Sequence, residues 1–126
     1  MPARFRPRER LRNGAAFDRV FKRGSRHSGR LFLLVAAPNG LTHDRLGLAV
    51  SRKVGGAVAR NRARRLLRET FRRLGRPPGP GADLVVVAHA EIVGRGQAEV
   101  DREFRERLRR VKRAAGVAGA GPVAAG

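Results

Sequence analysis

A single-domain α/β sandwich of the α+β class, in the order helix, strands, helix, strand, helix, is the fold this sequence predicts. Over 58–74, Ala59, Ala63, Leu66, Leu67, Phe71 and Leu74 recur at helical spacing and gather on one broad arc. Apolar runs at 31–37, 45–51 and 84–88 have the length of strands and are set off by turn residues. A chain of 126 residues is one domain, long enough to bury a modest core without disulfide or metal staples.

The elements follow in order. Residues 1–12 carry arginine at nearly every second position, with Pro2 and Pro7, and read as an extended basic arm. Asn13 suits an N-cap. A first helix runs to about Arg23, with Lys22 and Arg23 complementing the negative end of its dipole and Gly24 as C-cap. The strand at 31–37 closes in the turn Pro38-Asn39-Gly40, and a hairpin-like connection leads to the strand at 45–51. Gly55-Gly56 then precede the helix at 58–74, and Gly-Arg-Pro-Pro-Gly-Pro-Gly at 75–81 cannot continue it. After the buried strand at 84–88, a third helix over 97–114 stacks Val100, Phe104, Leu108 and Val111 on one stripe. A Gly/Ala-rich tail at 115–126 is expected to be disordered, which leaves 13–114 as the folded domain. The strands near 45–51 and 84–88 flank the second helix as a βαβ unit, a connection that is right-handed in nearly all proteins.

Charge narrows the function. The formal net charge is +19, from 29 Lys plus Arg against 10 Asp plus Glu, and 26 of those cations are arginine. An isoelectric point near 12 points to nucleic acid or another anionic surface. Arginine suits phosphate forks and base stacking better than lysine does. With no cysteine there is no disulfide, thiolate nucleophile or thiolate metal site. The amino terminus has no apolar secretory core, and no run approaches the roughly 20 apolar residues of a membrane span. A cytoplasmic protein is expected, with no membrane partner and no protein partner evident.

The basic residues are not spread evenly. On the second helix, Asn61, Arg64, Arg65, Arg68 and Arg72 lie opposite the apolar arc, with Arg60 and Arg62 flanking them. Like charges at i,i+4 cost a few tenths of a kcal/mol per pair in an isolated helix. A solvated face usually mixes signs, yet 51–76 holds ten basic residues and one acid, Glu69. Such an array suits a polyanion. Ser51, Arg52 and Lys53 lead into the helix, whose N-terminal amides favour anions, so phosphate contact is expected there. Phe17 and Phe21, at i and i+4 on the first helix, form either a core stripe with Val20 or a surface for stacking single-stranded bases. Composition alone favours the core. Glu99, Asp101, Glu103 and Glu106 all sit on the third helix and make it the less basic side, expected to face away from a nucleic acid.

No catalytic residue and no metal ligand is expected. His27, His43 and His89 are far apart and show no metal spacing. Asp44 and Asp83 fall at a turn and a strand start, where capping is the simpler role. The glycine-rich stretches lack the lysine and frame of a phosphate-binding P-loop.

Arg60-Asn61-Arg62, Arg64-Arg65 and Arg68-Glu69, preceded by Gly47-Leu48-Ala49-Val50-Ser51-Arg52-Lys53-Val54-Gly55, resemble the signature of the bacterial ribonuclease P protein subunit family. Phe-Asp-Arg-Val-Phe-Lys-Arg-Gly at 17–24 is similar to that family's first helix, and Asp-Leu-Val-Val-Val-Ala at 83–88 to its last strand. The likeness spans about residues 4–113. It implies a left-handed βαβ crossover and a fold like the second domain of a small ribosomal subunit protein. It also implies two partners, ribonuclease P RNA and precursor tRNA, whose 5′ leader is removed by the RNA subunit with Mg²⁺ while the protein binds no cofactor of its own. Arg60, Asn61, Arg62, Arg64, Arg65 and Arg68 would face the RNA subunit; Phe17, Phe21, Ser51, Arg52 and Lys53 would line the leader cleft. The resemblance thus favours the cleft for the phenylalanines. One departure is His89, where the family usually has a basic residue. Two other readings compete: a ribosomal-type or chaperone RNA-binding protein, and a DNA-binding module, which would need a helix and short turn where a strand is expected.

Overall fold

The computed structural model describes residues 10–11, 14–74 and 80–120, with side chains as far as Val111. Its elements are α1 (Gly14–Arg23), β1 (Ser25–Ser28), β2 (Phe32–Pro38), β3 (Arg45–Ala49), α2 (Ala57–Leu74), β4 (Ala82–Ala88), a 3₁₀ turn (Ala90–Ile92) and α3 (Gln97–Ala120). Most of the basic arm, the expected cap at Asn13, most of the 75–81 breaker and the end of the tail lie outside the described residues. α3 runs to Ala120 rather than ending near 114. Alanine, the strongest helix former, recurs there and outweighs the cost of Gly116 and Gly119.

The four strands form one sheet in the order β1-β2-β4-β3. β3 and β4 are parallel neighbours joined through α2, the βαβ unit that the sequence predicts. The 38–40 turn does not close a hairpin between β2 and β3, because β4 inserts between them, antiparallel to β2 and parallel to β3. The reason is burial. β4 is almost wholly buried and β2 nearly so, which suits centre positions; β3, with Arg45 and Gly47, takes an edge.

β1 has no counterpart in the sequence reading. Ser-Arg-His-Ser is a short polar edge strand with no apolar alternation to betray it. Gly24 joins it to α1 in a different way from the expected left-handed cap. A Cβ at Gly24 would lie 2.5 Å from the Val20 carbonyl oxygen and 2.7 Å from that of Ala36. Only glycine lets the helix run straight into β1 against the backbone of β2.

The sheet separates two apolar clusters. On one side Phe32, Leu34, Leu46, Leu84 and Val86 meet Leu67 of α2 and Val100, Phe104 and Leu108 of α3. The Phe32 and Phe104 ring centroids are 5.7 Å apart. On the other side Val35, Ala37 and Val85 meet Val20 of α1 and Leu11. Leu11 belongs to a stub of the arm that pairs with β3. Arg10 forms a parallel bridge to Leu46, and the Leu11 amide donates to the Leu46 carbonyl at 2.9 Å.

Candidate nucleic-acid interface

Asn61, Arg65 and Arg68 of α2 are exposed, and Arg64 and Arg72 partly so. With Glu69 they line a shallow, open trough along the helix. Asn61 accepts a hydrogen bond from Arg64 at 3.0 Å. Glu69 is the face's acid, and it takes the Arg72 guanidinium in a two-point pair. That hydrogen bond holds the Glu69 carboxyl below its usual range and raises Arg72. Arg68 is pushed the other way: partial burial, then Arg10 and Arg64, lower its basicity. The flanking residues diverge. Arg62 donates to the Arg95 carbonyl at 3.2 Å, on the α3 side, whereas Arg60 is half-buried.

Ser51, Arg52 and Lys53 are all exposed. Their loop is wound in tight turns: Val54 donates to the Ser51 carbonyl at 3.1 Å, Gly55 to that of Arg52 at 3.0 Å, and the Lys53 amide to Ser51 Oγ at 3.3 Å. Buried Val54 pins the loop to the core. Gly55 supplies a φ of +140° just before the helix, a conformation that a side chain would strain. The loop thus presents two cations and a hydroxyl at the positive end of α2.

Phe17 and Phe21 fall between the core and cleft readings. Both are partly buried against the α1-side cluster, while Val20 between them is fully buried. A Cβ at Gly47 would lie 2.5 Å from Phe17 Cζ, so that ring lies on bare β3 backbone. The Arg26 guanidinium stands 5.6 Å from the centre of the Phe21 ring. Leu33 and Val87 on this face of the sheet are likewise partly buried. Ser51 continues the alternation that turns Gly47 and Ala49 to this side, since Val50 packs in the opposite core. His89 follows Val87 in the same phase and remains partly exposed, its Nδ1 3.3 Å from the Arg30 carbonyl. The result is a half-open apolar surface with aromatic edges and a cation at Arg26, suited to unstacked bases.

Asp83 holds this side together. It is 1% exposed and accepts two hydrogen bonds from Arg45 (2.8 and 2.7 Å), one from Arg19 (2.9 Å) and one from Asn39 (3.0 Å). Burial opposes its ionisation, but these partners prevail and hold the carboxyl below its usual range. It ties α1 and β3 to β4, a larger role than the capping expected of it. Asp44 does cap, accepting the Ala82 amide at 2.9 Å.

Two of the four acids of α3 are taken up by the fold, while Glu99 and Glu106 stay exposed. Asp101 accepts from Thr70 at 2.6 Å and from Gln97 at 2.9 Å, and pairs with Arg73. Glu103 accepts the amides of Arg30, Leu31 and Phe32. The outer surface of α3 is therefore more basic than its sequence count implies, with Arg102, Arg105 and Arg109 exposed. The three histidines lie on β1, in the β2–β3 loop and after β4. Among the described residues, no group of three or more His, Asp or Glu is placed to hold a metal, and no helix is long and apolar enough to cross a membrane.

A family model described as Ribonuclease P matches residues 5–112. The chain belongs to the ribonuclease P protein family. The ribonuclease P protein component of Dehalococcoides mccartyi is 40% identical over 99 residues, covering 79% of this chain and 81% of that one. That of Exiguobacterium is 36% identical over 103 residues, covering 82% and 90%. Among solved structures, the Staphylococcus aureus RNase P protein superposes with a TM-score of 0.73 at 28% identity, over 82% of this chain and 95% of that one. The Thermotoga maritima RNase P protein gives 0.62 at 34% identity, over 82% and 94%. Membership assigns the chain as the protein component of an endoribonuclease that processes tRNA.

Proposed function

We propose that the α2 arginine face binds the ribonuclease P RNA, that the cleft between α1 and the sheet binds the 5′ leader of precursor tRNA, and that the RNA subunit is the catalyst. The observation that carries this reading is the separation of two unlike surfaces by one sheet. One is a guanidinium array in which Glu69 neutralises Arg72 and no acid pairs with Arg65 or Arg68 among the described contacts. The other is an apolar, aromatic-edged cleft around Phe17 and Phe21. Phosphates suit the first and unstacked bases the second. Arg60, Asn61, Arg62, Arg64, Arg65 and Arg68 serve the RNA subunit; Phe17, Phe21, Ser51, Arg52 and Lys53 serve the leader. Mg²⁺ held by the RNA supplies the activated water and the in-line displacement. The protein contributes charge neutralisation and positioning.

Cleavage of precursor tRNA by protein alone, by RNA subunit alone and by both together, across a Mg²⁺ series, tests the assignment. Protein alone leaves the substrate intact, and its addition lets the RNA work at lower Mg²⁺. Mg²⁺-dependent cutting by a nuclease-free protein sample would sink the division of labour.

A further inference from the structure

The arm and α2 meet at one edge of the sheet. Strand alternation fixes which way each arm residue points. Leu11 lies on the α1 side, where its Cβ would stand 3.2 Å from a Cβ on Gly47. Its neighbour Arg10, bridged to Leu46, therefore points to the opposite side, where Leu46 joins the α2–α3 core. That is the side on which α2 packs. Arg60, Arg64 and Arg68, at i, i+4 and i+8, form one ridge of α2. Arg68 lies near enough to both Arg10 and Arg64 for their charges to lower its basicity. Arg60, at the start of the ridge, has a buried Nε with no hydrogen-bond partner.

We infer that Arg10, held by its bridge to Leu46 of β3, completes with Arg64 and Arg68 a clamp for one phosphodiester segment of RNA. This rests on the reading of α2 as the RNA-subunit face and extends that face onto the arm. Like charges brought together by a backbone bridge repel in the free protein, and a phosphate between them converts the repulsion into attraction. The arm then acts through its pairing as well as its charge. β3 holds Arg10 at a fixed register, so this cation reaches the RNA without the ordering cost of a loose tail.

The test uses the full chain and the ribonuclease P RNA, with affinity measured across a salt series. Arg10→Ala should weaken binding and reduce the slope of log affinity against log salt by about 0.7–0.9, one phosphate contact. Arg10→Lys, which keeps the charge, should restore most of the slope. Thermal melting of the free Arg10→Ala protein checks that the fold is kept, so that a reduced slope reports a lost RNA contact. A wild-type slope in Arg10→Ala, with a reduced slope in Arg64→Ala and Arg68→Ala, would overturn the clamp and leave the RNA face standing. Wild-type slopes in all three would overturn both.

Discussion

At Gly47 one missing carbon decides how closely α1 lies on the sheet. The Phe17 ring occupies the space that a Cβ would fill, and Leu11 crowds it from the other side. Gly47→Ala should therefore lift Phe17, cost about 1–3 kcal/mol of stability and distort the cleft. Phe17→Ala should cost less than the roughly 3–5 kcal/mol of a fully buried phenylalanine, because the ring is only partly enclosed. Melting, together with the ratio of precursor to mature tRNA affinity in the holoenzyme, checks both. A fall in that ratio marks the cleft, and a preserved ratio with a large melting loss returns Phe17 to the core. Asp83 supplies a pH test at the same scale. Its folded pKa is below its unfolded one, so its stabilisation is complete above the ordinary carboxylate range and is lost as pH falls through the folded value. Asp83→Asn should cost about 3 kcal/mol at neutral pH, since it strips a buried charge from Arg45 and Arg19. The gap to wild type should narrow below about pH 4. A gap constant from pH 7 to pH 3 would show that the ion pairs contribute nothing.

At the scale of the element, α2 does two jobs with one period. Leu67, Ala63 and Thr70 face the core while Arg65, Arg68 and Asn61 face outward. Replacing Arg64, Arg65 and Arg68 by Ala should flatten the salt dependence of RNA-subunit binding by about 2–3 log units per tenfold salt if each arginine meets a phosphate. An unchanged slope in a folded triple variant would show the face idle. α2 is legible in the sequence because its two faces differ in chemistry at a 3.6-residue period. The α3 stripe is legible for the same reason, and Val100, Phe104, Leu108 and Val111 are all buried. β1 is not, because four polar residues on an edge carry no alternation. Strand order is hidden as well. The pairing of β2 with β4 joins residues some fifty apart in sequence, and only burial decides it. At the site, the arginine face and the Phe pair follow from spacing. Asp83's partners do not, since Arg19, Asn39 and Arg45 converge through three different elements. Arg10 is hidden among its neighbours in an arm where every second residue is basic.

For the whole molecule, the sheet acts as a partition. The arginine face belongs to a helix on one side and the phenylalanine cleft to the helix on the other, with β2 and β4 buried between them. The Asp83 cluster ties α1 to β4, to β3 and, through Asn39, to the β2–β3 loop, and α2 takes no part in it. Sites separated in this way and sharing no partner lose free energy additively, within about 0.3–0.5 kcal/mol. A variant combining Arg65→Ala with Phe21→Ala should therefore behave as the sum of its parts. Arg65→Ala should weaken assembly with the RNA subunit, yet leave the precursor-to-mature ratio unchanged once assembly is saturated. Phe21→Ala should do the reverse, lowering the ratio by about 1–3 kcal/mol per stacked base while the assembly constant stays near wild type. Coupling well above the additive range, measured as a double-mutant cycle on precursor binding, would mean that the two faces communicate through the sheet. A ratio that falls with Arg65→Ala at saturating RNA would place the leader on α2.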